Sequence, residues 1–264
     1  MHYTLEYGGG LGDMFYQLYA RGSYNVLRDL GVDDTATVHL VVHNPGAPEL
    51  LAYHPKRSQM TVYWHGYWSS GDDAQERERR AMPEPGSNYF LPDKDEVIEF
   101  YPHPADQAVL DLLPDTFVVM APGAGTPDRT IPHAVLEATY ERLLRDTSGP
   151  ILVVGRDYSR DGRAEPAVPA HPRILNAVNH LSVPGTAWAL QKAAGLVTAH
   201  SSLNLLGWCM QKPQLLLYNQ AVLDRHCHGG HYDQWMFGAN RSTTIHGRFD
   251  DFDVTWVDRF IQEL

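Results

Sequence analysis

One carboxylate near the start of the chain stands where it could do chemistry. Asp13 closes the run Gly8-Gly9-Gly10-Leu11-Gly12-Asp13, which follows the strand-like Tyr3-Thr4-Leu5-Glu6-Tyr7 and precedes the helix-like Met14-Phe15-Tyr16-Gln17-Leu18-Tyr19. A strand, a glycine turn and a helix in that order expose bare backbone amides at a helix start, where anions and sugar phosphates are favoured. Glycines admit a ligand close to the backbone, and a carboxylate at the mouth of the turn can take a proton from it. Asp is also a common helix N-cap, so base and cap are both open readings of Asp13. A dinucleotide site fits poorly. Counting G-x-G-x-x-G from Gly8 puts Asp13 where the third glycine belongs, and the second strand runs into His43-Asn44 rather than an acid.

Other groups invite the same double reading. Ser201 and Ser202 open a helix after the strand Leu196-Val197-Thr198, so their hydroxyls and amides suit phosphate oxygens or a plain cap. His200 beside them could hydrogen-bond a ligand or sit satisfied in the core. Arg129 follows a Gly/Pro loop, where a guanidinium can take a diphosphate bidentately or pair with Asp128 or Asp157. Gly123, Ala124 and Gly125 suit a pocket lined by backbone, or simply a tight turn. Tyr63, Trp64, His65 and Trp68 could form an acceptor platform or a core cluster. His226-Cys227-His228-Gly229-Gly230-His231 carries zinc-ligand residue types but matches no familiar zinc spacing, and a cleft-lining loop is the better reading.

The elements that must position these groups form two successive β/α runs. The first half reads as a strand Tyr3–Tyr7, a helix from the glycine turn to about residue 30, a strand Ala36–Val42, a short helix over 49–53 and a strand Met60–His65. Asp72–Met82 reads as an exposed helix of paired charges. Prolines crowd residues 83–104 around one short strand at Glu96–Tyr101, the composition of an interdomain crossing. Alternation then resumes with strands at Phe117–Met120, Ile151–Gly155, Arg173–Asn176, Leu196–Thr198 and, last, Gln214–Tyr218. The helices between and after them fall at His133–Arg145, Thr186–Ala194, Ser202–Met210 and Val254–Leu264. The fold class is therefore α/β: two Rossmann-like β/α/β domains facing a cleft, residues 1–104 and 105–264, the first of them reduced. The C-terminal helix is free to pack back on the first domain, and a hinge is expected near residues 102–106.

Composition narrows the class. At 264 residues, 43% hydrophobic and 20% charged, the chain is an ordinary globular one with a substantial core. It has no apolar run of spanning length and no signal-peptide pattern, and Cys209 and Cys227 make no disulfide framework, so a cytoplasmic setting is expected. A net charge of −11 counts against gripping nucleic acid through phosphates without excluding it. Fourteen Tyr, six Trp, eight Phe and fourteen His suit clefts that stack sugars or bases, though they also fill cores.

Four segments, in order, resemble the inverting GT-B glycosyltransferases of the heptosyltransferase type, glycosyltransferase family 9. They are Gly10-Leu11-Gly12-Asp13; Ala121-Pro122-Gly123-Ala124-Gly125 with Arg129-Thr130-Ile131-Pro132; Ile151–Gly155; and Thr198-Ala199-His200-Ser201-Ser202 with Gln211-Lys212-Pro213. The family's Asp-Ser-Gly reads His200-Ser201-Ser202 here, its following His is Leu205, its Trp before Pro is Ile131, and its Gly-Lys-Pro is Gln211-Lys212-Pro213. The resemblance implies a glycosyltransferase using a nucleotide-diphosphate sugar, with no metal and no cofactor, and Asp13 as general base. Donor contacts would come from Gly12, Gly123, Ala124, Gly125, Arg129, Gly155, Arg156, His200, Ser201 and Ser202. Acceptor contacts would come from Gly10, Gln17, Tyr63, Trp64, His65 and Trp68. The family's default acceptor is a glycan of the lipopolysaccharide kind; a protein side chain or a modified DNA base stays open, as does a noncatalytic nucleotide- or sugar-binding module on the same fold.

Overall fold

A computed structural model describes residues 2–7, 11–18, 35–42, 46–64, 98–125, 127–156, 166–222 and 244–264. The first half contributes β1 (His2–Tyr7), α1 (Leu11–Leu18), β2 (Thr37–Val42), α2 (Gly46–Leu50) and β3 (Met60–Trp64). These three strands form a parallel sheet in the order β1-β2-β3. The second half contributes α3 (Gln107–Leu110), β4 (Val118–Ala121), α4 (His133–Asp146), β5 (Ile151–Val153), β6 (Ile174–Asn176), α5 (Val183–Lys192), β7 (Gly195–Ala199), α6 (Ser202–Cys209), β8 (Gln214–Tyr218), β9 (Thr244–Arg248) and α7 (Thr255–Gln262).

The second sheet runs β6-β5-β4-β7-β8-β9, every pairing parallel. Numbered within its own half this is the 3-2-1-4-5-6 order of a doubly wound sheet, whose direction of winding reverses between β4 and β7. Its strands are apolar throughout because both faces are covered. The period-two pleat sorts them. Val118, Met120, Ile151, Val153, Val197, Ala199, Leu215 and Leu217 pack with α4 and α7. Val119, Ala121, Leu152, Val154 and Leu196 face the other way, toward α5 and α6. That second layer continues without a break into Met14, Phe15 and Leu18 of α1 and Val38 and Leu40 of β2, so the two halves share one core.

The structure corrects several expectations. Residues 98–101 form no strand; Ile98 and Phe100 are buried while Glu99 is exposed, so their alternation reflects an extended chain laid across the core. α5 begins at Val183 rather than 186, because Ser182 caps it through the Gly185 amide at 3.0 Å and Pro184 is compatible with a first turn. α2 lies over 46–50 instead of 49–53. Gln214–Tyr218 is not the last strand: β9 follows it at the sheet edge, where a polar Thr-Ile-His-Gly-Arg sequence gives no apolar run to read. Among the described residues α7 packs on α4, β8 and β9, with Val257 and Phe260 buried against the large sheet. The helix beyond residue 18, the charged helix at 72–82 and the 226–231 cluster lie outside the described residues. Among the described residues no helix is long and apolar enough to cross a membrane, and no cluster of metal-ligating side chains occurs.

Candidate functional site

Ligands of doubly wound sheets bind beyond the carboxyl ends of the strands where the winding reverses. Here that point lies between β4 and β7, and the chain leaves those strands through Pro122-Gly123-Ala124-Gly125 and through His200-Ser201-Ser202. Most of the residues named above as donor contacts therefore meet at one crevice.

Ser201 is the N-cap of α6. Its hydroxyl accepts from the Leu203 amide at 3.3 Å and lies 3.3 Å from the Thr198 hydroxyl, while Asn204 returns its side-chain oxygen to the Ser201 amide at 2.8 Å. This reciprocal cap was not read from the sequence, although a polar residue three positions after the serine is its signature. Ser202 is the first residue of α6 and is half-buried; the first turn of α6 carries no acid. His200 is buried at 8% exposure in the turn before it.

Arg129 ends a 3-10 turn, Pro127–Arg129, and its guanidinium lies 3.7 Å from where a side chain on Gly125 would stand. Asn219, just after β8, donates to the Asp128 carbonyl. β7 lies between β4 and β8, so this bond draws the Arg129 turn across the end of β7 toward the α6 start. Nothing in the sequence around Asn219 signals that role.

The first half meets this crevice through α1. A side-chain carbon on Gly12 would sit 2.7 Å from Leu205 Cδ1 and 3.2 Å from Ser202 Cα. Only a glycine lets α1 lie this close to α6. Asp13 is the next residue of α1, and Gln17 lies four residues further along it. Leu205, at the family's His position, is 7% exposed and fills the seam between the two helices. Tyr63 and Trp64 end β3, opposite Val41 and Val42. Gly10, His65 and Trp68 are outside the described residues.

Gly155 and Arg156 lie elsewhere, beyond β5, on the side of β4 away from β7. The Arg156 guanidinium is held by Glu49 of α2 through two bonds, NH1 to Oε2 at 3.0 Å and NH2 to Oε1 at 2.6 Å, and also donates to the Leu181 carbonyl at 3.3 Å. Glu49 Oε1 further accepts from the Val183 amide in the first turn of α5 at 3.0 Å. Partial burial pushes the Glu49 carboxyl up, but Arg156 and the Val183 amide outweigh it and hold the group below the usual carboxylate range. Glu49 escaped the sequence reading because its partner is 107 residues away.

Lys212 does not point to the crevice either. Its ammonium donates to the Ala193 carbonyl at 2.8 Å, capping the end of α5, and burial followed by the nearby Lys192 charge pulls its pKa down. The turn before it explains the family glycine. Gln211 has φ 53°, and its amide and that of Lys212 close on the Trp208 and Gly207 carbonyls, the Schellman pattern in which glycine is usual.

The fold with this switch-point crevice is a heptosyltransferase-like GT-B fold. Solved structures agree on the fold. The E. coli heptosyltransferase WaaC with ADP superposes with a TM-score of 0.57 at 13% identity, over 100% of this chain and 99% of that one. E. coli ADP-heptose LPS heptosyltransferase II gives 0.58 at 10%, over 100% and 97%. A glycosyl transferase family 9 protein from Veillonella parvula gives 0.52 at 12%, over 94% and 85%. No protein-family model and no curated protein sequence matches the chain.

Proposed function

We propose that this protein is an inverting glycosyltransferase that moves a sugar from a nucleotide-diphosphate sugar to an acceptor hydroxyl. The observation that carries the reading is the contact of Gly12 with Ser202: it sets the residue before Asp13 against the helix start at the switch point. In this scheme the donor diphosphate lies at the α6 amides and hydroxyls, with Arg129 above it. Asp13 takes the proton from the acceptor hydroxyl, whose oxygen attacks the anomeric carbon on the face opposite the diphosphate. The bond from that carbon to the diphosphate oxygen breaks, and the electron pair leaves with the phosphate, where the helix start and the guanidinium stabilise the charge. Only one base is needed and no covalent intermediate forms.

The donor class follows the neighbours: WaaC has been solved with ADP and with ADP-2-deoxy-2-fluoro heptose, which makes ADP-heptose the first donor to try. A glycan is the first acceptor class, and the acidic net charge argues against DNA. Buried His200 and interface-filling Leu205 favour a second reading, a binding module that kept the fold without turnover.

The test is nucleotide release from a panel of nucleotide sugars with a glycan acceptor. Asp13→Ala should lower release by about 10²- to 10⁴-fold with nucleotide affinity retained. Unchanged release in the variant removes Asp13 as base. Nucleotide binding with no release by the wild type supports the module.

A further inference from the structure

The start of α5 is a junction of three parts of the chain. Glu49 of the first half accepts from the Val183 amide and grips Arg156, which follows β5. Asp106, just past the proline-rich crossing and only 2% exposed, accepts from the Ser182 amide and the His103 amide, both at 2.8 Å, and from the Ser182 hydroxyl. The pairing of Glu49 and Arg156 is a fork of two parallel bonds, the geometry that fixes orientation as well as distance. It lies at the carboxyl ends of strands from both sheets, since α2 follows β2 and Arg156 follows β5. The Gly12–Ser202 contact is a second such point. The shared core joins the halves, and these two polar and close-packed contacts fix its seam at two separate places.

We infer that Glu49 and Arg156 form an interlobe clamp, and that Arg156 is a positioning residue rather than a donor ligand. The clamp acts through the placement of α1 over the α6 start. The inference rests on the proposed transferase reading for its kinetic consequence, but its structural consequence stands alone. Releasing the clamp leaves the nucleotide crevice between β4 and β7 intact and loosens the first half about the shared core, so that α1 samples a wider range of positions over the α6 start.

The test uses the full chain with Glu49→Gln, which keeps an acceptor for Val183 and removes the charge, and Arg156→Lys, which removes the fork. Spin labels at Thr61→Cys and Glu141→Cys, both exposed and one in each half, report the interlobe distance in a Cys227→Ser background; Cys209 is buried. The expected result is a broadened distance distribution in both variants and a double variant no worse than either single one. ADP, or whichever nucleoside diphosphate of the panel binds, should keep its Kd within about twofold while kcat falls about tenfold, some 1.4 kcal/mol. An unchanged distance distribution overturns the clamp whether or not the protein is an enzyme. A tenfold weaker nucleotide Kd in Arg156→Lys but not in Glu49→Gln makes Arg156 a donor ligand. A wild type that binds no nucleotide defeats the transferase reading and leaves the label measurement to decide the clamp.

Discussion

Two helices, α5 and α6, begin on the same edge of the large sheet and treat their positive ends in opposite ways. The start of α5 is occupied by the protein's own carboxylates: Asp106 takes the Ser182 amide and Glu49 takes the Val183 amide. The start of α6 carries hydroxyls and a carboxamide instead, from Ser201, Ser202 and Asn204, with no acid in its first turn. Capping Ser201 satisfies the helix locally, but its neutral groups leave the partial positive charge uncancelled. A helix start already neutralised is a structural joint. One whose own first turn is neutral, at the switch point, suits an incoming phosphate. The difference teaches that a helix start is read by what the rest of the fold brings to it.

The comparison can be broken at either helix. The largest effect is expected at the closed one. Asp106→Ala leaves the Ser182 and His103 amides without their acceptor, and unfolding in urea should show a loss of about 3 kcal/mol. A loss under about 1 kcal/mol would mean that α5 does not need its internal anion. At the open helix, Ser202→Asp supplies the acid that α6 lacks. Titration calorimetry should show nucleoside diphosphate affinity falling about tenfold or more, with thermal stability kept or slightly raised by the helix dipole. Unchanged affinity would place the phosphates elsewhere. The smallest effect lies at the far end of α6. Gln211→Gly relieves a left-handed residue and should raise stability by about 1 kcal/mol with nucleotide affinity unaltered.

Much of this was legible from residue order. The apolar runs of β4, β5, β7 and β8 announced strands, and each lies within a residue or two of its expected place. β9 was not legible, because an edge strand has no need of an apolar run. At the site, Ser201 was readable as a cap from its place between strand and helix, and Gly12 as a residue needed for close approach. What Gly12 approaches was not readable: the sequence presented the turn as open to a ligand, and the structure fills part of that space with Leu205 and Ser202. The resemblance put Arg156 among the donor contacts, and nothing near it in the sequence foretold the carboxylate that α2 delivers to it.

The sequence by itself determined the alternation of strands and helices, the glycine turn before Asp13 and the cap of α6, since these depend on backbone propensity and side chains within one turn of each other. Only the tertiary structure decided which helix start receives the protein's own carboxylates. That choice depends on Glu49 and Asp106 arriving from 134 and 76 residues away, and pairing over such separations is set by sheet order and shared core, not by any local pattern.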